Sequence, residues 1–147
     1  MSENYDKLVD AACQARLNSH SPYSGFRVGA ALLGRDGTIY PGTNVENASI
    51  GLSICAERSA VCGAIARGQK EFTAIAICAD GTKPTPPCGA CRQFLLEFGR
   101  HLKVLVAGEE GSSGEILEYV ITDLLPFAFE TYLDPETPGP GGGEGVS

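Results

Sequence analysis

A chain of 147 residues, 43% hydrophobic and 20% charged, suits one domain with a proper apolar core and leaves no length for a separate substrate domain. The formal net charge of −7, with no Lys/Arg cluster, argues against a phosphate-tracking surface and so against DNA or RNA as a partner. No apolar run approaches the roughly 18 residues of a membrane span, and MSENYDKL carries no basic and apolar leader, so the expectation is a cytosolic chain with reduced thiols.

The apolar residues Tyr5, Leu8, Ala12 and Ala15 recur at every third or fourth position, which predicts an amphipathic helix over Glu3–Asn18. It stops before SHSPYSG, where Pro22 and Gly25 punctuate the chain. A buried strand follows at Arg27–Leu33, and Asp36-Gly37 turns it into a return strand over Thr38–Gly42. Asn44, Glu46 and Asn47 form a polar group at that strand's exit. After a bend at Ser49–Ser53, a helix begins near Cys55 and runs to Arg67, with Ala60, Val61, Ala64 and Ile65 inward and Gly68 as its stop. The branched run Phe72–Ala79 predicts a central strand, and the prolines of DGTKPTPP exclude regular structure after it. A helix over Gly89–Phe98, a buried strand over Leu102–Ala107, an edge strand over Glu115–Val120 and a helical turn broken at Pro126 complete the domain, taken as residues 1–133. The glycine- and proline-rich stretch 134–147 is expected to be disordered.

Strands alternating with helices place the chain in the α/β class, as a mixed five-stranded sheet covered on both faces, a three-layer α/β/α sandwich. In such sheets helix N-termini converge where strands end, so Cys55 and Cys88 can reach one ion from distant parts of the chain.

Six cysteines stand at positions 13, 55, 62, 78, 88 and 91. Cys13, Cys62 and Cys78 have apolar neighbours and read as small buried hydrophobes. The other three fall in Cys55-Ala56-Glu57 and Pro87-Cys88-Gly89-Ala90-Cys91, the C-x-E and P-C-x-x-C spacing of zinc-dependent nucleobase deaminases. A catalytic zinc takes three protein ligands and keeps its fourth position for water or substrate, and three cysteines satisfy that arithmetic. Glu57 is then the general acid and base beside the fourth position. Three thiolates leave a dication over-neutralised, so Arg58 and Arg92 are candidates to hydrogen-bond sulfur. The other reading of these residues is a closed structural zinc, for which His20 and His101 offer no ligand spacing.

PYSGFRVGAALL, GTNVENAS, CAERSAV, PCGACRQFLLEF and DLLPFAF, in that order over Leu8–Phe129, resemble the small homotetrameric zinc-dependent cytidine deaminases. The resemblance implies a cytidine deaminase-like fold and one zinc per subunit, held by Cys55, Cys88 and Cys91, with Glu57 as the proton shuttle. It implies that Asn44 and Glu46 hold the ribose 3'-hydroxyl, that Phe26 and Ala56 bear on the ring, and that Arg58 bonds ligand thiolates. Phe129 would reach a neighbouring subunit's site, which makes a homotetramer the expected assembly. The implied substrates are cytidine and 2'-deoxycytidine, with no nucleic acid or membrane partner. A modified or antibiotic cytosine nucleoside of the blasticidin S type is the runner-up, and a zinc-stabilised binding protein is the reading from another class. Two positions depart from the family pattern: Ile50 stands where tyrosine is frequent and Phe127 where glycine is common.

Overall fold

The computed structural model describes residues 3–130, with side chains from Tyr5 onward. The tail expected over 134–147, and the last residues of the expected domain, 131–133, lie outside the described residues. Helix α1 (Glu3–Arg16) leads into strands β1 (Val28–Gly34) and β2 (Ile39–Thr43), then helix α2 (Ala56–Ala66) and strand β3 (Phe72–Ala79). Helix α3 (Gly89–Leu96), strands β4 (Lys103–Ala107) and β5 (Ile116–Val120) and the short helix α4 (Ile121–Leu124) complete the order. The first and third helices are shorter than their apolar periodicity predicts, because Leu17 and Asn18 form a turn and Phe98 closes on Leu95 beyond the end of α3.

The five strands form one sheet in the order β2-β1-β3-β4-β5, with β3 and β4 parallel and the other pairs antiparallel. Since β1 opposes both β2 and β3, the strands β2, β3 and β4 share a direction and end at the same edge. Asn44, Asp80 and Gly108 all emerge there.

Alternation along each strand divides the core in two. Ala30, Leu32, Ile75, Ile77, Val104 and Val106 face α2 and α3, together with Ala60, Val61, Ala64 and Leu95. Ala31, Ala74, Ala76, Cys78, Leu105 and Ala107 face α1 through Leu8, Val9 and Ala12. This is the expected three-layer α/β/α arrangement. The α1 face is built mainly from small residues, so the helix lies close to the sheet.

The structure corrects two expectations about the cysteines. Cys78 points to the α1 face, Cys13 lies on α1 above it, and the two are joined as a disulfide with a Cα–Cα distance of 5.1 Å. They are not reduced core thiols. Cys62 is exposed rather than buried, since α2 turns Ala60, Val61 and Ala64 inward and carries position 62 to the outer face. Among the described residues no helix is long and apolar enough to cross a membrane.

Candidate active site

Both cysteine motifs meet helix starts. Cys55 is the N-cap of α2 (φ −74°, ψ 154°) and Cys88 the N-cap of α3 (φ −67°, ψ 166°), so neither is yet helical. At a cap, unpaired backbone N–H groups and the positive end of the helix favour thiolate over thiol. Cys91 follows Cys88 inside the first turn of α3 and is buried.

The sulfurs of Cys55, Cys88 and Cys91 all lie within 4.8 Å of one another, and those of Cys55 and Cys88 are 4.0 Å apart. Two sulfurs held about 2.3 Å from a tetrahedral zinc stand roughly 3.8 Å apart, so the donor set fits that ion. The protonation pattern fits as well. The neighbouring Cys91 thiol, helped by Arg58, holds Cys55 well below the ordinary thiol value, while the same contact and burial push Cys91 above it. Such a cluster carries negative charge at neutral pH, and a dication neutralises it where one proton does so only in part.

Arg58 Nη2 donates to Cys55 Sγ at 3.6 Å, as its place after Glu57 suggested. Arg92 departs from the expected role: its Nε donates to Pro87 O at 2.8 Å and its Nη1 to Leu124 O at 3.0 Å. It thereby ties the loop that delivers Cys88 to α4. The planar guanidinium satisfies two carbonyls at once, which the sulfurs could not offer it.

Glu57 lies in the first turn of α2 and is 4% exposed. Burial raises its pKa above the ordinary carboxylate value, the negative charge on Cys55 adds to that, and Arg58 offsets part of it. A carboxyl whose pKa burial raises holds a proton more readily than an exposed one, which suits it to take protons from one atom and give them to another.

Glu57, Cys55, Cys88 and Ala56 line a cavity of about 290 Å³, and Asn44 and Glu46 line its other side. Val28, Ile77 and Ala79 form an apolar floor from β1 and β3, and Thr85, Pro86 and Pro87 a wall from the loop before α3. No lysine, arginine or histidine lines it among the described residues.

Asn44 and Glu46 are themselves held by hydrogen bonds. Asn44 Oδ1 accepts from Ser19 Oγ at 2.5 Å and Val28 N at 2.9 Å, and its Nδ2 donates to Phe26 O at 2.9 Å. Glu46 Oε1 accepts from Tyr23 N and Ser24 N, and Oε2 from Ser24 Oγ at 2.5 Å. The role of SHSPYSG goes beyond chain reversal, and its serines at either end of a proline turn were the available sign. Phe26 and Phe129 lie outside the cavity wall of the single chain; Phe129 is 70% exposed and its carbonyl accepts from Gln93 Nε2 at 3.0 Å. Phe127 is exposed with φ at +55°, a left-handed backbone that glycine adopts without strain.

Residues 2–108 match the family described as "Cytidine and deoxycytidylate deaminase zinc-binding region". The chain is 46% identical over 123 residues to a cytidine deaminase of Halalkalibacterium halodurans, an alignment covering 83% of this chain and 91% of that one. Its structure is similar to that of the cytidine deaminase of Burkholderia pseudomallei, with a TM-score of 0.79 and 43% identity over 88% of this chain and 100% of that one. The cytidine deaminase of Mycobacterium tuberculosis aligns with a TM-score of 0.73 and 36% identity over 88% of this chain and 99% of that one.

Proposed function

The chain belongs to the cytidine and deoxycytidylate deaminase zinc-binding family, and on that premise we propose that it hydrolyses the 4-amino group of cytidine and 2'-deoxycytidine, releasing ammonia. The observation that carries the reading is Glu57, a buried carboxylate that lines one cavity together with Cys55 and Cys88 of the three-sulfur cluster. Cys55, Cys88 and Cys91 would hold the zinc. The ion, when bound, supplies the Lewis acidity that makes water a nucleophile at neutral pH.

The residues of the chain do the rest. Glu57 accepts a proton from water and delivers it to ring N3 as the C4 carbon becomes tetrahedral; it then takes the proton of the new C4 hydroxyl and passes it to the departing amine, so that the C4 carbonyl forms as the C4–N bond breaks. Ala56 and the apolar floor keep the ring in place. Asn44 offers an N–H and Glu46 a carboxylate oxygen, a donor and an acceptor that together suit one sugar hydroxyl. The absence of a cation from the described lining, with Glu46 on it, favours an uncharged nucleoside over its phosphate ester.

A homotetramer is part of the proposal. Ile50 is 85% exposed beside exposed Leu52 and Ile54, and Phe127 and Phe129 stand out from the other end of the chain. Their burial against further copies would bring an aromatic ring to a neighbour's cavity, the part assigned to Phe129. The cytosol, where nucleosides are recycled to pyrimidine pools, is the proposed setting.

The test is ammonia release with cytidine, deoxycytidine, cytosine and adenosine on protein of measured zinc content, alongside sedimentation. Turnover of the two cytosine nucleosides by a zinc-loaded tetramer is expected. Zinc-loaded protein that releases no ammonia from any cytosine compound would sink the reading.

A further inference from the structure

Segment 19–24 runs beside residues 44–46 and binds nearly every polar group that the sugar-facing pair possesses. His20 N donates to Asn44 O at 3.2 Å, and Glu46 N donates to His20 O at 2.8 Å, which fixes the backbones in parallel. Ser19 Oγ takes the side-chain oxygen of Asn44 from one side, while Val28 N takes it from the other. With Nδ2 also committed to Phe26 O, the amide cannot flip, and one N–H is left to point elsewhere.

Ser24 does the same for the carboxylate. Its Oγ accepts from Phe26 N at 3.0 Å, so its only proton is directed to Glu46 Oε2. The backbone N–H groups of Tyr23 and Ser24 saturate Oε1. What remains of Glu46 is a lone pair on Oε2. The same bonds, the Ser24 hydroxyl foremost, hold the Glu46 carboxyl below the ordinary range, so it stays an acceptor.

We propose that Ser24, assisted by Ser19, is a positioning residue that aims the free Oε2 lone pair of Glu46 and the free N–H of Asn44 at one sugar hydroxyl. The inference rests on the assignment of Asn44 and Glu46 to the sugar. Neither serine touches the substrate. Their effect is on binding, equal in the ground and transition states, and belongs in KM rather than kcat.

The experiment is steady-state kinetics with cytidine on zinc-loaded Ser24→Ala, Ser24→Thr, Ser19→Ala and Glu46→Ala proteins, with Ser24→Ala repeated in the Glu46→Ala background. Ser24→Ala should raise KM about tenfold, the worth of one hydrogen bond to a charged group, with kcat within about twofold. Ser24→Thr, which keeps the hydroxyl, should recover most of the loss. Ser19→Ala should cost less, because Val28 N still holds the amide. In the Glu46→Ala background Ser24→Ala should change nothing further. An NMR titration should show the Glu46 carboxyl pKa rising in Ser24→Ala, and the melting temperature should stay near that of the starting protein.

An unchanged KM in Ser24→Ala, with Glu46→Ala raising it, overturns the positioning role alone. So does an equal effect of Ser24→Ala with and without Glu46, which would mark a general loosening of the turn. If Glu46→Ala itself leaves KM unchanged, the sugar contact and the positioning role fall together while the deamination stands. A starting protein that releases no ammonia sinks the proposed function, a result read before any variant is compared.

Discussion

The sulfurs of Cys55 and Cys88 lie 4.0 Å apart although 33 residues separate them in the chain. Each sits where a strand's loop hands over to a helix, and β2 and β3 end at the same edge, so the sheet holds the two caps together. A metal that joins both caps stabilises the folded state by its binding free energy. Cys88→Ala is therefore expected to lose stoichiometric zinc and to melt several degrees below the starting protein, by elemental analysis and calorimetry. Chelation of the starting protein should lower its melting temperature in the same direction. Full zinc retention in Cys88→Ala would defeat the ligand assignment.

Glu57→Gln keeps the volume and most of the polarity of the buried side chain but cannot carry a proton. Zinc content and fold should persist, and kcat should fall by about 10² to 10⁴, the range that proton transfer by a positioned group contributes. Activity within tenfold of the starting level would remove Glu57 from the proton path.

Much of this arrangement was legible in the chain because it depends on local pattern. The branched run Phe72–Ala79 forms β3 over the span predicted, and the cysteine spacing places two sulfurs at caps and a third one turn on. What escaped depends on docking between distant segments. Cys13 meets Cys78 across 65 residues because α1 settles on small side chains, which neither residue's neighbours announce. Arg92 finds Leu124 O only once α4 has packed against α3, and Ser24 finds Glu46 only once the turn lies along residues 44–46. Phe127 and Phe129 are exposed in the single chain, so no packing within it accounts for their place in the sequence pattern.

Asp80 gives a stability prediction with a definite sign. It follows β3 and pairs with Arg16 of α1, which is 8% exposed, and with Arg27, whose backbone N donates to Oδ2 at 2.8 Å. Burial alone would raise the Asp80 pKa, but hydrogen bonds from Arg27 and then Arg16 win, and the net shift is downward. A carboxyl depressed in the folded state adds stability above its unfolded pKa, near 4, and that contribution disappears as pH falls through the folded value. Asp80→Asn should cost about 2–3 kcal/mol at pH 7 and progressively less below about pH 4. Urea melts of both proteins at pH 7, 4 and 3 would measure this, and a constant gap across that range would contradict it.

Two glycines separate stability from activity. A Cβ on Gly29 would meet Ala12 O at 2.0 Å and Arg16 N at 2.3 Å, backbone atoms of α1. A Cβ on Gly42 would meet Ala60 N at 2.4 Å and Ala56 O at 2.5 Å, backbone atoms of α2. Neither obstacle can swing aside as a side chain does, so each helix must shift, at a cost of about 1–3 kcal/mol or more. The consequences differ because α1 lines no part of the cavity, while α2 begins with Ala56 and Glu57 on its wall. A displacement on the order of 1 Å at the reacting groups can cost about 10²-fold in rate. Gly42→Ala should therefore lower both the melting temperature and kcat, and Gly29→Ala the melting temperature with a much smaller change in kcat. Equal loss of kcat in the two variants at matched zinc content would show that α2 does not set the geometry of the site.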